Sequence, residues 1–263
     1  MKKLLFFIIM MTVLTPAYGT TFTGEVSKVG LQDRNRVVDS KTQKGIEFAK
    51  VSIPQANFHA YTDKNGNFDL PEIKLKSPKP LMLNVEKEGY RPFSITINNN
   101  QSLNAPLKVE IAKSEPIDVS LETGLIHLGD DNFSQNSANA SGFKLKSSGP
   151  YFSKDFIMSA NAKKSTNYLV IGSIAGLDTQ LAQRMGQNKI RSTYSTPTEV
   201  FFNGQKIGEI KINGDGQQIK IPNSLIIANA KNQITIKTGH NTNSYDHIDY
   251  DDIEVMNISI LCE

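Results

Sequence analysis

The chain of 263 residues has one cysteine, no tryptophan and, beyond its first twenty residues, no long apolar run. Each shortage excludes something. A lone Cys262 forbids an internal disulfide, so the fold has to rest on buried cores. That thiol has two readings, an inert side chain or a cross-link between two chains. Nothing after Thr20 approaches the roughly 18 apolar residues of a membrane helix, so the mature chain is expected to have no membrane span. Charge of one sign is also missing. The formal +3 falls to about +1 if Lys2 and Lys3 leave with a leader, and no basic stripe invites nucleic acid. Helical periodicity is scarce, with Leu177 to Met185 the best candidate. Catalytic signatures are absent too: no G-x-S-x-G elbow, no H-E-x-x-H helix, no phosphate loop, and no convincing histidine partner for the cysteine. A glycosidase would need paired carboxylates across a cleft, whereas the acidic residues here cluster at strand ends. The expectation is a protein that is not an enzyme.

What is present begins with MKKLLFFIIMMTVLTPAYG. Lys2 and Lys3 form a basic start, Leu4 to Leu14 an apolar core, and Ala17-Tyr18-Gly19 a small-x-small cleavage site. Residues 1–19 therefore read as a secretory signal, without a cysteine for lipid attachment at the cleavage point. The expected location is the periplasm or the exterior.

Short runs rich in Val, Ile, Phe and Tyr follow one another, separated by Gly, Asn, Asp, Ser and Pro. FHAYT, LMLNVEK, FSITI and KVEIA are examples, and TEVFFNGQKIGEIKI, QITIKTG and DDIEVMNISIL continue the pattern. This is the signature of an all-β protein built as two β-sandwich domains. The Asn-, Ser- and Pro-rich stretch from Asn98 to Pro116 marks the break, giving domains at 20–115 and 116–263.

The stretch TDKNGNFDL, Thr62 to Leu70, places oxygen side chains at alternate positions, as a calcium loop does. Counted from Asp63, however, the sixth position is Phe68 and the twelfth Lys74, where an EF-type loop needs Gly and Glu. Asn65-Gly66 instead suits a tight turn with positive φ at both centres, so a hairpin between half-buried strands is expected.

Gly24, Ala49-Lys50-Val51, Thr62-Asp63-x-Asn65-Gly66-x-Phe68-x-Leu70 and Lys87-x-Gly89-Tyr90 together resemble the carboxypeptidase regulatory-like family over about Phe22 to Ile97. The resemblance implies a small transthyretin-like Greek-key sandwich that spaces or docks other modules. Val51, Phe58, Tyr61, Phe68, Leu70 and Val85 would face its core, with Tyr90 read as a core tyrosine and, as the alternative, a ligand-stacking aromatic. Beyond Ile117, His127 to Phe133, Tyr168 to Gly176, Val200 to Gly208, Asn232 to Gly239 and Tyr250 to Ile258 follow in order. That succession resembles the galactose-binding-like jelly rolls among carbohydrate-binding modules.

This second resemblance implies first and last strands side by side, with carboxylates of both holding a structural calcium. Asp130, Asp131, Asp252 and Glu254 are the candidate ligands, and alternation puts Asp252 and Glu254 on one strand face. The competing reading is a solvated acidic rim. For a ligand surface, the loop from Gly239 to Tyr250 offers His240, Asn241, Tyr245 and His247, and the loop after Leu181 adds Arg184, Asn188, Arg191 and Tyr194. That mixture of donors, acceptors and aromatic faces suits a glycan. Missing tryptophan weakens it, and plain hydrophilic loop is the alternative. The expected partner is thus a glycan or polysaccharide, or else an envelope protein met through an exposed sheet edge.

Overall fold

The computed structural model describes residues 26–28, 34–70, 80–97, 106–132, 143–188 and 193–263; the leader over residues 1–19, Gly24 and Arg191 lie outside the described residues. It is all-β, in two sandwiches. The first contains β1 (Val26–Lys28), β2 (Asn35–Asp39), β3 (Lys50–Ile53), β4 (Phe58–Tyr61), β5 (Asn67–Phe68), β6 (Leu81–Glu86), β7 (Phe93–Ile97) and β8 (Leu107–Ile111). Its sheets have the orders β1-β8-β2-β5 and β4-β3-β6-β7. β8 lies within the stretch read as a break; it pairs parallel with β2 and antiparallel with β1. Between the sheets Val37, Val51, Ile53, Phe68, Leu83, Val85 and Val109 are buried.

Two expectations for this sandwich need correction. Phe58 packs on the core but Tyr61 is 60% exposed. Strand residues three apart point to opposite faces, so both could not be inward. The Asn65-Gly66 turn is present, but only Gly66 has a positive φ, at 81°, and the turn joins β4 to β5 in different sheets rather than closing a two-stranded hairpin. Asp63 is used up locally, accepting the Asn65 and Asn67 amides at 2.8 Å each. Gly66 cannot carry a side chain, because a Cβ there would run into the Val37 carbonyl and the Gly45 backbone.

The second sandwich contains β9 (Val119–Leu128), β10 (Tyr151–Ile157), β11 (Asn167–Ala175), β12 (Thr198–Phe202), β13 (Gln205–Ile210), β14 (Gly214–Ile221), β15 (Lys231–Lys237) and β16 (Ile253–Cys262). Its sheets run β10-β15-β12-β13 and β14-β11-β16-β9. Successive strands change sheet at every step except the β12–β13 hairpin, whose Asn203 and Gly204 both have positive φ, at 48° and 78°. Alternation fills the core from both sheets: Ile234 and Ile236 of β15 and Val200 and Phe202 of β12 meet Leu169, Ile171, Val255 and Ile258. Each such buried side chain is worth about 1.5–3 kcal/mol. Among the described residues the one α-helix, α1 (Gln180–Arg184), is capped by Thr179, whose hydroxyl accepts the Ala182 amide at 3.1 Å.

β6 and β16 do not alternate in burial; almost every residue in them is covered. Leu81, Leu83 and Val85 fill the first core, while Met82 and Asn84 face the second sandwich. There Met82 packs with Ala175 and Met256. Gln55 donates to Glu254 at 3.0 Å, and the Ser173 hydroxyl lies 2.9 Å from that of Ser94. Asp215 accepts from the Thr96 amide and hydroxyl at 2.9 and 2.7 Å. The two sandwiches thus share a seam that is apolar at one point and hydrogen-bonded elsewhere.

Candidate functional site

β9 and β16 are antiparallel neighbours from Val119 opposite Ile260 to Leu128 opposite Ile253. The loop leaving β9 therefore lies beside the loop entering β16. This brings Asp130 and Asp131 next to Asp252: the Asp131 amide donates to Asp252 Oδ1 at 3.1 Å, and Asp130 accepts the Tyr250 amide at 2.9 Å. Glu254 goes elsewhere, reaching Gln55 across the seam.

A histidine takes the place that Glu254 leaves. His127 Nε2 sits 2.8 Å from Asp252 Oδ1, its Nδ1 sits 2.6 Å from the Leu145 carbonyl, and Asp131 Oδ1 is 3.6 Å from Nδ1. A carbonyl can only accept, so Nδ1 must carry a proton; Nε2 faces a carboxylate and is satisfied when protonated as well. The geometry thus favours imidazolium. Burial of the ring opposes the charge and is the largest single influence, but Asp252, the Leu145 carbonyl and Asp131 together outweigh it and raise the His127 pKa above 6.5.

Among the described residues, the candidate metal-ligating side chains whose ligand atoms lie within 4.8 Å of one another are His127, Asp131 and Asp252. Calcium takes six to eight oxygen ligands. This cluster offers two carboxylates and an imidazole whose nitrogens both already face acceptors, while Asp130 and Glu254 stand outside it. The residues as placed do not fit calcium.

A second set of carboxylates supports the neighbouring loops. Asp251 is completely buried, and its Oδ2 accepts the Ser195 hydroxyl at 2.6 Å and the Asp178 amide at 3.1 Å. Its Oδ1 has no hydrogen-bond partner among the described residues. Burial pushes the carboxyl up to about 7, against the pull of those two hydrogen bonds. Asp249 Oδ2 accepts the Asn241 side-chain amide at 2.9 Å, and burial raises the Asp249 pKa. Bridges between Thr179 and Ser195, Ser195 and Asn241, and His240 and Tyr250 tie three loops into one end of the sandwich.

The described residues expected to meet a ligand divide on this scaffold. Asn241 is only 2% exposed and serves the loop's own hydrogen bonding, so its side chain does not face solvent. Tyr245 is 93% exposed at the loop tip; His240, His247 and Arg184 are also exposed and Tyr194 half-buried. The Thr242 amide and hydroxyl both donate to the Tyr194 carbonyl, at 3.2 and 3.0 Å, joining the two loops. Close by, Tyr250 meets Tyr151 edge to face at 6.4 Å.

Sequence reasoning missed His127 as a site residue. The available signal was its parity: β9 alternation places it on the face shared with Leu125, away from the core. Cys262 is buried, its thiol donating to the Ile117 carbonyl at 3.3 Å, and burial lifts its pKa to about 11, which keeps it a thiol.

Two all-β sandwiches joined by a hydrogen-bonded seam define the class of protein. Residues 36–119 match the family model described as CarboxypepD_reg-like domain. The match takes in β8 and the first residue of β9, so it extends beyond the Ile97 limit read from sequence. No curated protein matches the chain. Among the described residues, no helix is long and apolar enough to cross a membrane.

Proposed function

We propose that this chain is an exported, non-catalytic carbohydrate-binding protein that recognises glycan through the loops at one end of its C-terminal sandwich. The carboxypeptidase regulatory-like sandwich holds that module in place. One observation carries the reading: the exposed Tyr245, His240 and His247 stand on loops fixed from beneath by the buried Asp249–Asn241 and Asp251–Ser195 hydrogen bonds. Such a scaffold presents an aromatic face and hydrogen-bonding groups at little ordering cost. The strand order β14-β11-β16-β9 over β10-β15-β12-β13 is that of two interlocked Greek keys, which supports the galactose-binding-like jelly-roll assignment. Export rests on the leader-like segment at residues 1–19. Glycan arrays and polysaccharide pull-downs with the mature chain test the proposal. Retention of a specific sugar, lost with Tyr245→Ala and His240→Ala, supports it; no retention on any glycan overturns it.

The second reading is an envelope component that docks a protein partner. It is favoured by β10, an edge strand whose Ile157 is 68% exposed, which leaves a row of main-chain groups open to an added strand. Co-purification with an envelope protein, lost on Ile157→Pro, would favour docking over glycan.

A further inference from the structure

A cavity of about 480 Å³ opens where the two sandwiches meet, between the β6–β7 turn, the start of β9 and the end of β16. Its wall includes Phe48, Glu88, Tyr90, Arg91, Thr123 and Ser259, and none of the loop residues discussed above. Its size falls within the range of small-ligand sites, about 300–1,000 Å³.

Phe48 is the unusual feature of this wall. It is 66% exposed and has φ 54°, a left-handed backbone that bulky residues seldom adopt. The conformation is imposed from both sides. Phe48 N donates to the Thr62 carbonyl at 3.0 Å, Ala49 N donates to the Thr62 hydroxyl at 2.8 Å, and that hydroxyl donates to the Ile46 carbonyl at 2.6 Å. The strain is thus not compensated by burial of the residue, which lines the groove and stays largely exposed. Strained positions over-determined by their surroundings concentrate at functional sites.

The rest of the wall is already fixed. Arg91 donates to both oxygens of Asp118, at 2.8 and 3.4 Å, and Asp118 also accepts the Glu115 and Cys262 amides at 2.9 and 3.1 Å. The Tyr90 hydroxyl donates to Asp39 at 3.1 Å, and Glu86 accepts the Asn84 side-chain amide at 2.8 Å. Glu86, Glu88 and Asp118 nearly balance Lys87 and Arg91, and Ser114, Ser120, Thr123 and Ser259 add hydroxyls. A charged ligand would have to displace a standing ion pair, and an apolar one would strip those hydroxyls of water. A flat ring bordered by hydroxyls and little net charge complements the C–H face and hydroxyl rim of a sugar. We infer that this groove is a separate binding site for a neutral saccharide, with Phe48 as its stacking platform.

The inference stands without the loop reading, and one experiment separates the two. The mature full chain is titrated calorimetrically with cello-, malto-, xylo- and manno-hexaose, alongside Phe48→Asn and Tyr245→Ala. Asparagine accepts the left-handed backbone, so Phe48→Asn removes the ring while its melting temperature stays level or rises. The expected result is binding of at least one hexaose that Phe48→Asn weakens about tenfold or more and Tyr245→Ala leaves intact. Unchanged affinity in Phe48→Asn, loss in Tyr245→Ala alone, or no binding of any hexaose would each overturn the groove assignment.

Discussion

Asn257 donates its side-chain amide to Asn84 Oδ1 at 2.9 Å, and both residues are buried where the second sandwich lies on the first. Asn257 has φ 57° at a register shift in β16, so the bulge itself aims the side chain across the seam. Asn84→Ala leaves that buried donor without its acceptor. The expected loss is about 1–3 kcal/mol, read from urea unfolding of the protein. A variant as stable as the parent would mean that the pair contributes nothing.

Gly172 lies at the same seam, and a Cβ there would press on Ser94 Oγ and stand 2.7 Å from Asn257 Cβ. Gly172→Ala is expected to separate the sandwiches without emptying either core. Calorimetry should then resolve two thermal transitions where the parent shows fewer. A single transition at the parental temperature is the contrary outcome.

Stability should fall as pH rises from about 5 to 8. His127 has a raised pKa, so its contribution is complete below 6.5 and is lost as pH climbs through the higher folded value. Asp251, raised from 3.8 to about 7, acts in the same direction: its folded form holds a proton that the unfolded chain has released, and ionising it in the fold costs up to about 4 kcal/mol. Asp251→Asn should therefore melt higher than the parent at pH 8 and no higher at pH 5. A parent more stable at pH 8 than at pH 5 would contradict both assignments.

His127 supplies the positive charge between Asp131 and Asp252. His127→Leu strands the buried Asp252 carboxylate, at an expected cost of about 3–5 kcal/mol by denaturant unfolding at pH 6. Treatment of the parent with EDTA should leave its melting temperature in place. A rise of several degrees on adding calcium would show that a metal, rather than the imidazolium, neutralises the cluster.

Legibility followed the range of the interactions. Turn chemistry and alternation are local, so Asn203-Gly204 and the inward Ile234 and Ile236 could be read directly. The adjacency of Asp131 and Asp252 came from a resemblance that puts the terminal strands side by side. His127 was missed because its partners lie at Leu145 and Asp252, and no spacing within β9 announces them. Asn241 was misplaced because a polar loop residue reads the same whether it meets solvent or a buried carboxylate such as Asp249. The uniform burial of β6 and β16 has the same origin: alternation describes one sheet facing one core, and these strands face two partners.

That uniform burial sets how the modules can be used. Expressed alone, either half would present to water a patch centred on Met82 or on Met256 and Ala175, ringed by amides and hydroxyls shaped for an absent neighbour. The sandwiches are therefore best used together, and a truncation at the boundary between them should keep its own core but associate through the uncovered seam.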